Sequence, residues 1–372
     1  MNAGCSTPNA NGNLSSKGAK RIVWLDYARA AAILAVILCH SAEAVYSYHV
    51  SDMSSYSIYS QIVAHTLLAI GRLGVPLFLF ISGYLMLDRE YSAESCISFW
   101  KKKWVGLLLA TEVWTLIYNV FLCFAYGQSL DFGTLVRNLL FLEPVNIGHM
   151  WYMPMILGMY LFLPFIANGL RRVNDVKVLA FPLLVVIIAL FVPPLFNAVS
   201  RCFGCESLLS TLDAGFSGGV YGCYILLGYC VKKGVLGSIP LRMVLILGFI
   251  SFASVVLFQE FIFAKGVEIP LWYSNGILLL AGFFLFVTFS RGHRLKESFV
   301  IQRLSYYSFA LYLVHYPLKL LLAPVVIASG LPSHLLQTLV IAAVVLMVSL
   351  FLCALIRRIP VVGAKILYLK NR

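Results

Sequence analysis

Apolar side chains dominate this 372-residue chain: hydrophobic residues make up 61% of it and charged residues 12%. A soluble domain carries about 25% charged residues, so the composition excludes an ordinary soluble protein and predicts a polytopic membrane protein. The formal net charge is +13, but the basic residues are spread over loops, which argues against nucleic-acid binding and favours contact with anionic membrane lipids.

The two ends of the chain differ in composition from its middle. Residues 1–20 are small and polar, and they contain no apolar segment followed by a cleavage site. They are therefore predicted to be a disordered cytoplasmic tail rather than a signal peptide. A membrane domain is predicted over residues 21–358, followed by a cytoplasmic C-terminal tail over residues 359–372.

Apolar segments long enough to span a bilayer recur along the whole chain. There are ten of them, at residues 22–47, 61–87, 100–126, 150–170, 177–199, 216–232, 240–262, 271–290, 305–327 and 334–356. The segment 216–232 is the shortest. The sequence therefore predicts an all-α polytopic membrane protein with about ten transmembrane helices.

The basic residues predict the orientation of these helices. Of the 28 Lys and Arg residues, 22 lie in the N-terminal tail, the C-terminal tail and alternate loops. The loops between them carry only Arg137, Arg201 and Lys265. Because loops rich in Lys and Arg stay on the cytoplasmic side, both termini are predicted to be cytoplasmic.

The first span carries four ionisable residues, Asp26, Arg29, His40 and Glu43. At 100° per residue they fall on one arc of about 100°, with Arg29 and His40 about 20° apart in angle and about 16 Å apart in depth. Each charged group near the bilayer centre costs a few kcal/mol. Single polar residues often only satisfy one another, but four on one face favour a functional site.

Arg72 lies in the middle of the second span, between Gly71 and Gly74. Small residues allow a neighbouring helix to approach closely, so Arg72 is predicted to point into the bundle. Two interpretations stay open at this point: a structural ion pair with Glu43 or Glu112, or contact with an anionic ligand.

The longest loop on the predicted outer side ends with His149, Trp151 and Tyr152. Aromatic residues at this depth are typical of the interfacial belt of membrane proteins. The same aromatic side chains beside a histidine also suit a platform for a sugar ring. The sequence does not choose between the two.

The ninth span places Tyr312, His315 and Lys319 on one helix face. Pro317 frees a backbone carbonyl close by, so His315 either bonds that carbonyl or belongs to a functional site. Elsewhere, Cys202 and Cys205 lie in an outer loop, where a disulfide or two free thiols are both possible. No cluster of metal ligands is present, and no metal is predicted.

Four stretches of the sequence carry a resemblance to a known family. They are RIVWLDYARAAAILAVILCH, GRLGVPLFLFISGYLM, HMWYMPMILGMYLFLPFI and LSYYSFALYLVHYPL. In this order and spacing they resemble the acyltransferase-3 family of integral-membrane O-acyltransferases, over nearly the whole chain. The chain is most similar to the stand-alone branch that acetylates surface polysaccharides, the enterobacterial common antigen type.

The resemblance implies roles for individual residues. The family signature is a basic residue, ten further residues and a His, which here falls on Arg29 and His40. His40 is implied in acyl transfer and Arg29 in engaging the donor from the cytoplasmic side. The resemblance also implies acyl-CoA, most simply acetyl-CoA, as a co-substrate with no bound cofactor, and a place in the bacterial cytoplasmic (inner) membrane.

Together these points give one hypothesis for the reaction. Acyl-CoA binds near Arg29, Asp26 and Arg72. His40, oriented by Glu43, deprotonates the acceptor hydroxyl or accepts the acyl group itself.

The residue that stabilises the oxyanion, the site that binds the acceptor and a competing class of protein are considered beside this hypothesis. Arg72 or His315 stabilises the oxyanion. A glycan or lipid-linked sugar enters from outside near His149, Trp151 and Tyr152. The competing class is a transporter or flippase, which the lack of repeat symmetry disfavours. The oligomeric state is not predicted.

Overall fold

The computed structural model describes residues 21–369, except positions 130, 174 and 206. The predicted tail over residues 1–20 and the last three residues therefore lie outside the described residues. No strand occurs in the described part of the chain. The α-helices are α1 (Val23–Val45), α2 (Val50–Met53), α3 (Ile58–Arg72), α4 (Gly74–Met86), α5 (Ala93–Phe99), α6 (Val105–Tyr126), α7 (Phe132–Leu139), α8 (Tyr152–Val173), α9 (Ala180–Cys202), α10 (Gly219–Lys232), α11 (Leu241–Ala264), α12 (Gly276–Ser290), α13 (Phe299–Ala328), α14 (His334–Ile356) and α15 (Gly363–Ile366). A π-helical turn, Trp100–Trp104, joins α5 to α6, and 3₁₀ turns occur at Val176–Leu179 and Gly215–Ser217.

The described residues contain eight helical segments that are long and apolar enough to cross a membrane. One of them, Ile58–Met86, combines α3 and α4. The helices α10 and α12 have 14 and 15 residues, or about 21 to 23 Å, less than the bilayer core of about 30 Å. The chain is thus a multi-pass helical membrane protein, while the count of ten spans and the side of the termini stay predictions.

Helix α1 lies at the centre of the bundle. It packs against α13, α3, α4 and α14. Its small apolar residues Ala28, Ala32 and Ile33 are fully buried, so neighbouring helices surround it on several sides. The polar residues of α1 therefore face protein rather than lipid, as the predicted stripe requires.

The break between α3 and α4 falls at Leu73 and brings this segment against α1. A Cβ atom added at Gly74 would lie 2.7 Å from the carbonyl oxygen of Ala32, and one added at Gly71 would overlap Cys39. Only glycine allows two backbones to approach this closely. The predicted close approach is confirmed, and it places Arg72 directly against α1.

The residues after α14 pack against α6. The indole of Trp114 donates to the carbonyl of Ile366 (3.0 Å), and the hydroxyl of Tyr368 donates to the carbonyl of Lys103 (3.1 Å). Leu367 is fully buried. The described part of the predicted C-terminal tail therefore belongs to the packed bundle. Cys202 is the last residue of α9 and Cys205 lies in the loop after it, and both are free thiols.

Candidate active site

Three histidines from distant parts of the chain form one group, here called the histidine cluster: His40 on α1, His149 before α8 and His315 on α13. The ring centroids are 5.5 Å apart for His40 and His315, 6.4 Å for His40 and His149, and 5.2 Å for His149 and His315. His149 is 2% exposed and His315 is fully buried. Over the described residues, no group of three His, Cys, Asp or Glu side chains is arranged to hold a metal ion.

His40 pairs with a carboxylate one turn further along α1. Its Nδ1 lies 2.7 Å from Oε2 of Glu43, whose Oε1 lies 2.9 Å from a terminal nitrogen of Arg72. An ionised carboxylate only accepts hydrogen bonds, so Nδ1 of His40 carries the proton. The other ring nitrogen, Nε2, then presents a lone pair, which is the form that a base or nucleophile needs. Of the two predicted partners for Arg72, the structure selects Glu43.

The Arg72 guanidinium is also stacked on aromatic rings. Its carbon Cζ lies 5.1 Å from the ring centroid of Trp272 and 5.9 Å from that of Tyr273. Trp151 packs against both rings, at 5.2 and 5.3 Å. The Nε of Arg72 is buried without a hydrogen-bond partner. One N–H donor therefore remains available on a cation whose position is fixed by Glu43 and by the rings.

His315 bonds to its own helix. Its Nδ1 lies 3.0 Å from the carbonyl oxygen of Leu311 and 2.8 Å from that of Tyr312. The carbonyl that Pro317 frees belongs to Leu313, and it accepts the hydroxyl of Tyr118 instead. Since carbonyls only accept, Nδ1 carries the proton. The neutral ring then presents its Nε2 lone pair, and this atom is buried without a partner.

The protonation of His149 follows from the same tyrosine. The single hydroxyl proton of Tyr118 goes to the Leu313 carbonyl, so its oxygen accepts from Nε2 of His149 (3.1 Å). The Nδ1 of His149 then bears a lone pair and has no partner. Burial, followed by the neighbouring His315 and His40, lowers the pKa of His149 well below its usual value.

Among the residues that the structure describes, three buried atoms of the site thus have no hydrogen-bond partner: Nδ1 of His149, Nε2 of His315 and Nε of Arg72. A buried polar group left unpaired costs about 1–3 kcal/mol, and native proteins keep few of them. The two imidazole lone pairs can accept protons from a hydroxyl group. The guanidinium N–H can donate to an oxyanion. Transfer of an acyl group to a hydroxyl needs both a proton acceptor and an oxyanion donor, and these three groups supply them.

Tyr316 and Lys319 also belong to the site. The Tyr316 ring stacks on His149 with centroids 4.6 Å apart and planes 14° apart, and it meets His40 edge-on at 5.0 Å. The Nζ of Lys319 lies 4.2 Å from the centroid of the same ring. The sequence placed Lys319 on the face of His315, but Tyr316 was missed, although it directly follows His315.

A cavity of about 320 Å³, here called the Arg29 cavity, lies towards the N-terminal end of α1. Arg29, Arg89 and Lys103 line it, together with apolar side chains such as Phe78 and Ile156, and none of its described lining residues is acidic. This arrangement combines a cationic surface for phosphate groups with an apolar wall.

Asp26 lies beside the Arg29 cavity but does not line it. Its carboxylate accepts from Nε of Arg21 (2.5 Å) and from the hydroxyl of Ser305 (2.6 Å), and it lies 3.8 Å from Arg29. These contacts hold the start of α1 against α13. Asp26 is therefore placed to orient Arg29, while direct contact with a donor stays a prediction.

Tyr152 joins the Arg29 cavity to the histidine cluster. It lines the cavity, and its ring lies 5.5 Å from that of Tyr312, which is 5.0 Å from His149. Tyr312 also donates to the backbone carbonyl of His149 (2.5 Å). Of the predicted platform, His149 belongs to the histidine cluster, Trp151 packs on the rings under Arg72 and Tyr152 lines the Arg29 cavity, with the ring centroids of Trp151 and Tyr152 6.0 Å apart. A role for any of them in binding acceptor stays a prediction.

Comparison with known proteins agrees with this chemistry. The model of the acyltransferase-3 family, described as an acyltransferase domain, matches residues 22–358. No curated protein and no solved structure matches the chain. The matched residues include the whole histidine cluster, Arg29 and Arg72. The chain therefore belongs to the acyltransferase-3 family and is a membrane acyltransferase.

Proposed function

We propose that this protein is an acyl-CoA-dependent O-acyltransferase of the bacterial cytoplasmic (inner) membrane. It moves an acyl group, most simply acetyl, from cytoplasmic acyl-CoA to a hydroxyl of a surface or lipid-linked glycan. One observation carries the proposal: a cation-lined cavity leads, through Tyr152 and Tyr312, to three histidines of which two present unpartnered nitrogens.

The Arg29 cavity suits the donor. Coenzyme A carries several phosphate charges and an uncharged pantetheine arm. Arg29, Arg89 and Lys103 would bind the phosphates, since guanidinium groups in particular form paired hydrogen bonds to them. The apolar wall accommodates the arm, which then extends towards Tyr152 and brings the thioester to His40.

The histidine cluster supplies the transfer chemistry. His40, with Nδ1–H held by Glu43, presents Nε2 either to the thioester carbon or to the acceptor hydroxyl. When His40 acts as a base, the hydroxyl proton passes through its imidazole to the CoA thiolate as the C–S bond breaks and the C–O bond forms. When His40 is acylated, a C–N bond forms at Nε2 as the C–S bond breaks and the thiolate leaves; the acceptor hydroxyl then forms the C–O bond, the C–N bond breaks, and the hydroxyl proton, taken up by a second imidazole of the cluster, balances the thiolate released. Both routes remain part of the proposal.

Arg72 is assigned to the oxyanion. Its Nε–H has no hydrogen-bond partner within the described residues, and a fixed cation beside a forming oxyanion stabilises the transition state. Neutral His315 presents only a lone pair at Nε2, so it suits accepting the hydroxyl proton rather than donating to the oxyanion. In this proposal Arg72 stabilises the oxyanion and His315 accepts the hydroxyl proton; the sequence alone did not choose between Arg72 and His315 for the oxyanion.

The proposed orientation places the Arg29 cavity on the cytoplasmic side, where acyl-CoA is made. The basic loops and the N-terminal and C-terminal segments then face the cytoplasm. The acceptor approaches from the other side, so the acyl group crosses part of the membrane within the protein.

The test uses purified protein in liposomes with acetyl-CoA, following free thiol release and the fate of the acetyl group. Acetyl-pantetheine, which lacks the nucleotide phosphates, is the matched donor, and succinyl-CoA and longer acyl-CoAs test the acyl group. Thiol release with acetyl-CoA, and much weaker release with acetyl-pantetheine, is the expected result. If no acyl-CoA releases free thiol and the liposomes take up a labelled anion or glycan precursor, the protein is instead a transporter.

A further inference from the structure

A second cavity, of about 250 Å³, lies beyond the C-terminal end of α1 and is not explained by donor binding. It is formed by α3, the end of α11 and the two loops after α1 and α11, and is here called the Gln259 cavity. The backbone amide and carbonyl groups of the helices are used within the helices themselves. The side chains that line the cavity indicate which ligand it suits.

Buried polar side chains with unused hydrogen-bonding capacity line the Gln259 cavity. Gln259 is 7% exposed, and its side-chain amide has no hydrogen-bond partner in the described part of the chain. His65 is 4% exposed, and its Nδ1 lies 2.7 Å from Oε1 of Glu260. Because the carboxylate takes the Nδ1 proton, Nε2 of the neutral His65 ring is an acceptor. The cavity thus offers an amide that donates and accepts and an imidazole that accepts.

Aromatic rings flank these polar groups. The rings of Tyr48 and Phe263 lie 6.4 and 5.8 Å from that of His65 and line the same cavity. The hydroxyl of Tyr48 donates to the carbonyl of Ala64 (3.1 Å), which leaves its oxygen as a further acceptor. Acceptors and an amide between aromatic faces suit a ring that carries hydroxyl groups on its edge and C–H groups on its faces.

The charge of the Gln259 cavity is opposite to that of the Arg29 cavity. No Lys or Arg is found among its described lining residues, whereas Glu268 lines its rim, 2.7 Å from His49. Glu260 lies directly behind His65. An anionic ligand would meet the carboxylates of Glu260 and Glu268, which are already paired with His65 and His49, and no Lys or Arg among the described lining residues, so the cavity discriminates against it.

The cavity borders the proposed reaction centre. Leu68 lines it and lies one turn before Arg72 on α3, and Leu271 lines it and directly precedes Trp272, whose ring contacts Arg72. A group bound there is therefore next to the cation assigned to the oxyanion.

We propose that the Gln259 cavity binds one uncharged, hydroxyl-bearing sugar ring of the acceptor and excludes uronates and phosphosugars. This inference rests on the proposed transfer to a glycan and adds the charge class of the sugar that is bound.

The test compares binding of methyl glucoside and methyl glucuronide, which differ by one carboxylate, to the full-length protein in detergent by saturation-transfer NMR. The wild-type protein should bind methyl glucoside about fivefold more tightly than methyl glucuronide. Gln259→Leu should weaken glucoside binding about fivefold, and Glu268→Gln, on an exposed loop, should narrow the difference between the two glycosides. Gln128→Leu, at an exposed position elsewhere, is the matched control and should bind as wild type does.

Equal binding of the two glycosides, or glucoside binding that Gln259→Leu leaves unchanged, would overturn the inference. Acetyl-CoA consumption is measured on the same samples to separate the two proposals. Consumption without glycoside binding removes the sugar site and leaves the proposed function intact. Glycoside binding without consumption of any acyl-CoA removes the proposed function, and with it the assignment of this cavity to an acceptor.

Discussion

Nδ1 of His40 lies 2.7 Å from Oε2 of Glu43, and this contact decides which nitrogen of the histidine can react. Glu43→Gln replaces an obligatory acceptor by an amide that can also donate, so the tautomer with Nε2 free is no longer enforced. We expect kcat for acetyl-CoA thiol release to fall at least about 100-fold. Glu90→Gln, at an exposed position, is the control and should keep the wild-type rate.

The Arg29 cavity predicts a loss of donor affinity. Arg29→Gln removes one of three cations from its lining, so KM for acetyl-CoA should rise about tenfold while the KM for acetyl-pantetheine changes little. Steady-state kinetics with both donors measure this difference. Arg294→Gln, on an exposed loop, is the matched control. An equal effect on both donors would place the nucleotide phosphates away from Arg29.

Tyr118 links stability to the protonation of His149. Tyr118→Phe leaves the Leu313 carbonyl and Nε2 of His149 without a partner, at a cost of about 1–3 kcal/mol for each buried group. The thermal unfolding midpoint in detergent should fall, and acyl transfer should fall further than the stability loss explains. Tyr126→Phe, at an exposed ring, should change neither quantity. A normal midpoint for Tyr118→Phe would refute the described hydrogen bonds.

The close contact of α3 and α4 with α1 predicts sensitivity to a single methyl group. Gly74→Ala would place Cβ 2.7 Å from the Ala32 carbonyl oxygen, so the helices must separate at a cost of about 1–3 kcal/mol. Gly158→Ala, where no atom lies within 4 Å of the added Cβ, should be neutral. Thermal unfolding of both variants measures the difference, and equal midpoints would contradict the packing.

The local part of the site was predictable from the sequence. Asp26, Arg29, His40 and Glu43 share one helix face because helical periodicity is a property of adjacent residues. Gly71 and Gly74 indicated the close approach of Arg72, and the choice between its partners followed only from packing.

The long-range part of the site was not predictable in the same way. His149 contacts His315, and Tyr118 bridges His149 to the Leu313 carbonyl. These contacts join residues far apart in the chain, and no local pattern encodes them. The helices α10 and α12 begin inside the predicted segments 216–232 and 271–290, because Gly218 adopts a left-handed backbone and the Asn275 side chain caps the start of α12. The family resemblance, which the match over residues 22–358 confirms, supplied the activity but not these contacts.

The most direct test of the account compares wild type, His40→Ala and His293→Ala with radiolabelled acetyl-CoA in liposomes, each shown to be folded by gel filtration. His293 is exposed and lies outside the site, so His293→Ala should consume acetyl-CoA as wild type does. His40→Ala should lose both thiol release and transfer of the label. Thiol release and transfer that persist in folded His40→Ala would contradict the account.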